Sequence, residues 1–312
     1  MNNKLLKCKK NNILSTKYII FKNIGSGSFG EVYIAEYNKN NKKKCVAAKV
    51  EARHSTLISK IMNEYNIYED IRSKGFRHGI PKIYEFIQTP DYNIMLMELL
   101  GPNLEYIFDR CNRKFKLTTV LLLAMNIILL LRDLHNINYI HRDIKPSNFL
   151  IGRKNKNNLY IMDFGLSRKY ITNDRHIAYR NKKSLVGTAR YASINMHKGI
   201  EPTRRDELES VGYMLIYFLK GILPWQHLTK VKNKKPIDVI GEKKMNTTFY
   251  ELCGGLPKCF RNYIIYCRKL KFSETPDYNY MYNLFYNYCV ETRTIPSYEW
   301  VFPKETGSSA TY

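Results

Sequence analysis

The chain is 312 residues long, with 44% hydrophobic and 25% charged residues, a balance that excludes wholesale disorder and collagen-like or mucin-like sequence. Lys and Arg (51) outnumber Asp and Glu (27), giving a formal net charge of +24. The excess is spread along the chain, so it reads as compositional bias before it reads as a nucleic-acid footprint. Seven cysteines without a C-x-x-C pair fit neither a disulfide framework nor a tetrahedral zinc site, and imply a reduced compartment.

The first ten residues are basic and lack the apolar stretch of a secretory signal. Strands are expected at 18–24 and 31–37 around a Gly/Ser turn, then at 45–50 after the polar stretch 38–44. A helix over 58–72 and strands at 83–88 and 94–97 follow. Beyond Gly101-Pro102 the pattern turns helical, at 117–136, 208–219, 257–270 and 277–291. The most apolar run, 117–131, is 15 residues long with two Thr and one Asn. It is shorter than the roughly 20 residues a bilayer crossing takes and is expected to be a buried helix, with no membrane insertion. A small sheet-rich half followed by a large helical half is an α+β arrangement of two lobes with a cleft at their junction.

Residues 25–30, Gly-Ser-Gly-Ser-Phe-Gly, fit G-x-G-x-x-G, a pattern shared by two phosphate-cradling architectures. The following Glu31-Val32-Tyr33-Ile34 continues as a strand instead of opening a helix, which favours a Gly-rich hairpin over phosphates with Val32 turned to a base. Lys49 follows Gly30 by 19 residues, on a predicted strand, and can reach two phosphates as a point charge. Such a lysine needs a carboxylate to fix it, and Glu64 is the candidate. The run His141-Arg142-Asp143-Ile144-Lys145-Pro146-Ser147-Asn148 fits H-R-D-x-x-x-x-N. In it Asp143 would accept a hydroxyl proton, Lys145 would neutralise a phosphoryl group in flight and Asn148 would hold a metal. Asp163-Phe164-Gly165 comes 14 residues past Phe149, and Asp163 would bind Mg²⁺ bridging phosphates. Each motif alone is weak; five in this order are not.

With these motifs the chain resembles the eukaryotic protein kinases, and more narrowly the casein kinase I family. The narrower resemblance rests on Met97-Glu-Leu-Leu-Gly-Pro-Asn-Leu104, Gly187-Thr-Ala-Arg-Tyr-Ala-Ser-Ile-Asn195 and Arg204-Arg-Asp-Glu-Leu-Glu-Ser-Val-Gly212. Leu223-Pro-Trp-Gln226, Glu242-Lys-Lys-Met-Asn246 and Pro276-Asp-Tyr-Asn279 add to it. Ser193-Ile194-Asn195 stands where ordinary kinases carry A-P-E, and the match runs from about residue 18 to 302.

The resemblance implies a bilobal fold: a basic extension 1–17, an N-lobe 18–97, a hinge 98–101, a C-lobe 102–302 and a short tail 303–312. It implies transfer of the ATP γ-phosphoryl group to Ser or Thr with Mg²⁺, using Asp143, Lys145, Lys49 and Glu64, with Asn148 and Asp163 on the metal. Nucleotide would lie among Ile24, Gly25, Ser26, Gly27, Ser28, Phe29, Gly30, Glu31, Val32, Ala47, Lys49, Leu150 and Met162. The backbone of Glu98 and Leu100 would take the adenine edge, with Met97 behind it. Acidic or phosphate-primed protein substrates are implied, with an anion site at Arg190 and Arg180; Pro236 stands where the family has an anion-binding Lys, so Lys234 or Lys235 would substitute. A monomer in the cytoplasm is expected, with 230–235 as a candidate nuclear signal.

Three departures stand out. Ala48 replaces a larger aliphatic residue and is expected to loosen sheet packing. Ser147 stands where most members have an acid. Glu207 replaces the Asp that anchors the catalytic loop, and its extra methylene is expected to shift that loop. The alternative reading is a catalytically weak pseudokinase scaffold, although Lys49, Glu64, Asp143, Asn148 and Asp163 are all present. Specific nucleic-acid binding lacks any zinc-finger, aromatic or basic-repeat signature.

Overall fold

A computed structural model describes residues 12–15, 17–27, 30–39, 42–53, 59–229 and 231–300. Ser28, Phe29 and Lys230 lie outside the described residues, as do residues 1–11 of the basic extension and the tail beyond residue 300. Among the described residues two compact units form, one from those up to Pro102 with 150–165, the other from 103–149 and 166–300.

The first unit is an antiparallel sheet: β1 (Asn12–Ser15), β2 (Tyr18–Gly27), β3 (Gly30–Lys39), β4 (Lys42–Ala52), helix α1 (Lys60–Ser73), β5 (Ile83–Gln88) and β6 (Tyr92–Met97). The strand order is β1-β2-β3-β4-β6-β5, so β1, from the stretch read as an extension, adds a sixth strand. Period-two alternation buries Tyr18, Ile20, Tyr33, Ala35, Val46, Ala48, Ile94 and Leu96 in one cluster. Ala48 stands opposite Tyr33 in the β3–β4 register, and both are fully buried. The other face receives α1, whose Ile61, Glu64, Tyr68 and Ile71 are buried, and whose Ser59 caps the helix by accepting the Met62 N–H at 3.0 Å.

The second unit is helical, with α2 (Leu104–Arg110) and α3 (Leu117–Asn136) first. Helix α3 is five residues longer than the apolar run, and by length and composition alone it could cross a bilayer. Twelve of its residues are nonetheless buried, packed against helices later in the chain. Short strands follow: β7 (Tyr139–Ile140), β8 (Phe149–Ile151), β9 (Leu159–Ile161), β10 (Arg168–Lys169), β11 (Ile171–Thr172) and β12 (Arg175–His176), pairing β7 with β10, β8 with β9 and β11 with β12. The β8–β9 hairpin belongs to the first unit because Gly101 donates to the Ile151 carbonyl at 2.9 Å and Ile161 to that of Gly79 at 2.8 Å.

Helices α4 (Ile194–His197), α5 (Arg204–Lys220), α6 (Pro236–Asn246), α7 (Phe249–Cys253), α8 (Lys258–Lys269) and α9 (Tyr278–Glu291) complete the unit. Partners of α3 are α9 and α5. A capping box between Thr203 and Asp206 starts α5 four residues before its apolar pattern begins, and Pro236 occupies the first turn of α6.

Candidate active site

In the first unit the β2–β3 hairpin pairs Gly27 with Gly30 across the two undescribed residues. Gly30 has φ +137°, and a Cβ there would lie 2.3 Å from the Val50 carbonyl oxygen, so no other residue fits. Register aligns Val32 with Lys49 and Ala47 with Met97, which brings these four side chains to one face of the sheet. Ala47 and Met97 are buried, Ile24 is 40% exposed, and Glu31, Leu150 and Met162 are half-buried. In 98–100, the Leu100 N–H and the Glu98 carbonyl make no hydrogen bond among the described residues, although Leu100 is 9% exposed. A donor and an acceptor side by side, neither bonded to the described chain, is an edge suited to a planar heterocycle.

Lys49 reaches Glu64 Oε2 at 2.5 Å and Asp163 Oδ1 at 2.9 Å. Burial opposes its charge, yet the two carboxylates outweigh that and hold its pKa above the ordinary lysine value. Glu64 is fully buried, and burial raises its pKa against the pull of Lys49. Tyr68, which the sequence did not mark, accepts the Asp163 N–H at 3.2 Å and packs its ring against Phe164 at 5.0 Å. Asp163 is held at φ +69°, a left-handed conformation that costs about 1–3 kcal/mol at a non-glycine residue and gathers at functional sites.

In the second unit Asp143 is 7% exposed and its carboxylate is shared: Lys145 Nζ at 2.6 Å on Oδ2, Thr188 Oγ1 donating to Oδ1 at 2.9 Å. Asn148 donates from Nδ2 to the Asp143 carbonyl at 2.8 Å, which leaves its amide oxygen as the atom for a cation. Gly187 lies against this loop at φ +81°, where a Cβ would meet the Arg142 carbonyl oxygen at 2.4 Å. Thr188 and Gly187 sit in the quoted Gly-Thr-Ala-Arg run; only the fold reveals that they touch Asp143.

Glu207 does anchor the loop. It accepts the Arg142 N–H at one oxygen and meets His135 Nε2 at 2.8 Å with the other, while His135 Nδ1 meets the Tyr278 hydroxyl at 2.6 Å. One carboxylate thus spans both partners. Around Arg142 a second acid gathers cations: Glu201 lies 3.0 Å from Arg168, 3.6 Å from Lys183 and 3.9 Å from Arg142. Burial, then Arg168, lowers the Arg142 pKa. Ser193 caps α4 and donates to Asp206 at 2.6 Å, and the Ile194 N–H donates to Glu209, which also pairs with Arg268 at 3.3 Å. Acids on α5 thus hold the Ser-Ile-Asn segment.

Of the four residues expected to bind an anion, Arg190 rests over the ring of Tyr217 at 5.5 Å and meets only tyrosine hydroxyls; it has no ion pair among the described residues. Arg180 and Lys235 are exposed and also without one, whereas Lys234 is bound to Glu242 at 2.6 Å. The family model described as Protein kinase domain matches residues 18–249. A Gly-rich hairpin, a lysine fixed by a buried glutamate and an aspartate held between Lys145 and Thr188 are what that family's phosphoryl transfer requires, and the chain belongs to the protein kinases.

Proposed function

We propose that this protein kinase is a serine/threonine kinase of casein kinase I type, acting on acidic or phosphate-primed protein substrates with ATP and Mg²⁺. The observation that carries the reading is the arrangement on Asp143: a carboxylate bound on one oxygen by Lys145 and on the other by Thr188. There Asp143 orients the acceptor hydroxyl and takes its proton, while Lys145, 2.6 Å away, stands ready to meet charge on the transferred group. Lys49, fixed by Glu64, holds the nucleotide phosphates, and the Glu98–Leu100 backbone takes the adenine edge. Asp163 of the first unit and the amide oxygen of Asn148 of the second are each a hard oxygen donor of the kind a divalent cation takes, and such a cation would neutralise phosphate charge. The Arg190 guanidinium, with hydroxyl partners only, supports the preference for an acidic or phosphorylated residue near the acceptor.

The test offers radiolabelled ATP and Mg²⁺ with casein and with a tyrosine copolymer, followed by phosphoamino-acid analysis. Label on Ser and Thr is expected, lost in Asp143→Asn while nucleotide affinity stays. Label on Tyr would overturn the specificity; nucleotide binding without any transfer would identify a pseudokinase scaffold.

A further inference from the structure

Lys244, in the last turn of α6, is fully buried. No carboxylate among the described residues comes within ion-pair distance of its Nζ. Its acceptors are main-chain carbonyls of one short stretch, Ala189 at 3.0 Å, Arg190 at 3.4 Å and Ala192, and His197 Nε2 lies beside it at 3.2 Å. The ring faces of Trp225 and Tyr213 lie 4.8 and 4.9 Å from the nitrogen, and the Trp225 indole N–H donates to the Arg190 carbonyl at 2.7 Å. Gly241, one turn earlier, makes room for this packing, since a Cβ there would lie 2.9 Å from the His197 ring.

A lysine used as a greasy spacer would turn its head toward water. Here the head is the point of convergence. Carbonyls brought together in one turn repel one another unless a donor sits among them, and among the described residues Lys244 is the one donor that reaches the carbonyls of Ala189, Arg190 and Ala192 together. Burial pushes the amine pKa down to about 7, against which several acceptors and two ring faces favour the ammonium, since a neutral amine would aim its lone pair at one of them. The same stretch carries the side chains used on either side of the reaction: Thr188, bound to Asp143, and Arg190, on its tyrosine platform.

We propose that Lys244 is a positioning residue for substrate binding: its buried ammonium clamps the carbonyls of 189–192 and so sets where Arg190 meets an anionic substrate group. This rests on the primed-substrate reading given above. Removing the clamp frees the turn, and the loss falls on anion recognition before it falls on nucleotide binding.

The experiment compares wild type with Lys244→Met, and with Trp225→Phe, which removes the second donor to the Arg190 carbonyl. Three readouts are taken: affinity for a fluorescent nucleotide, KM for a phosphoserine-primed peptide and its unprimed counterpart, and hydrogen exchange at the Tyr191 and Ala192 amides, which bond to the Thr188 carbonyl at 3.0 and 3.1 Å. In Lys244→Met, nucleotide affinity is expected within about twofold of wild type and KM for the primed peptide about tenfold higher, the unprimed one far less affected, with exchange at both amides about tenfold faster. Trp225→Phe is expected to move the same readouts in the same direction by about threefold, and it decides the matter should Lys244→Met fail to fold. Equal losses on both peptides, or unchanged exchange, would overturn the clamp. A wild type that does not distinguish the two peptides overturns the primed-substrate reading instead, and exchange at Tyr191 and Ala192 then still decides whether Lys244 holds the turn.

Discussion

Glu207 accepts the backbone N–H of Arg142, and Arg142 stands at φ +68°, in the left-handed region where a non-glycine residue needs outside support. The carboxylate that holds this bend also holds His135, so two parts of the second unit depend on one side chain. Glu207→Asp is one methylene short of spanning both. It is expected to cost about 1–3 kcal/mol through the contact it gives up, and to lower kcat several-fold with KM for ATP unchanged. Thermal unfolding and steady-state kinetics check this; a variant with wild-type melting and turnover would show that the bridge is dispensable.

Lys49 and Glu64 form a buried pair, so breaking it from one side should hurt more than removing it whole. Lys49→Met leaves a buried carboxylate uncompensated, a loss of about 3–5 kcal/mol in comparable pairs. Lys49→Met with Glu64→Gln is expected to recover a large part of that stability in urea denaturation, while phosphoryl transfer stays abolished in both. If the double variant is no more stable than the single, Glu64 is not the group that suffers.

Glu201 already places a carboxylate among Arg142, Arg168 and Lys183, where many kinases need a phosphate on the activation segment. Protein from a bacterial host, treated with phosphatase and then freed of it, is expected to keep its activity, and Glu201→Gln to lose about tenfold in kcat. Collapse of the dephosphorylated enzyme, reversed by an upstream kinase, would contradict this.

His197 gives the acid limb of stability a named contributor. Burial, then the Lys244 ammonium, pushes its pKa from 6.5 down to about 4, against the carbonyls of Ala189 and Ile237. The unfolded chain therefore takes up this proton at a higher pH than the folded one, so the contribution is complete above about pH 6.5 and is lost as pH falls toward 4. Melting temperatures from pH 7 to 4 should fall less steeply for His197→Asn than for wild type. Parallel curves would assign the acid lability to other groups.

Motif spacing makes the protein kinase domain readable in the sequence, because each motif needs a fixed residue type at a fixed offset. The strands of the first unit and the long helices were equally plain, since period-two alternation and apolar runs mark them. Besides short elements such as α2, part of what escaped was polar. The first turn of α5, Arg204 to Glu207, carries no apolar signal, only the Thr203–Asp206 capping pair. Helix α6 was passed over because a Lys-rich approach and the Glu242-Lys243-Lys244 triplet read as solvated charge, although Pro236 is a fair mark of a helix start. Within that triplet Lys243 is a partly exposed partner of Glu251 and Lys244 is fully buried, a difference that no pattern of residue types records. Ala48 is a case of another kind: the residue it faces, Tyr33, lies 15 positions away and only the strand register identifies it.

Met97 is pinned between Ala47 on β4 and Ile83 on β5, 2% exposed, directly before the Glu98–Leu100 backbone. A residue of that length closes the back of the proposed adenine slot, and its unbranched, adaptable side chain is what a substitution there removes. Shortening it to glycine opens a pocket that natural ATP does not fill. An ATP analogue enlarged at its N6 position would then be used by the variant and refused by the ordinary kinases of a cell extract. The label it transfers would mark this enzyme's direct targets, so the same buried methionine that shapes the slot offers a handle for finding what the kinase phosphorylates.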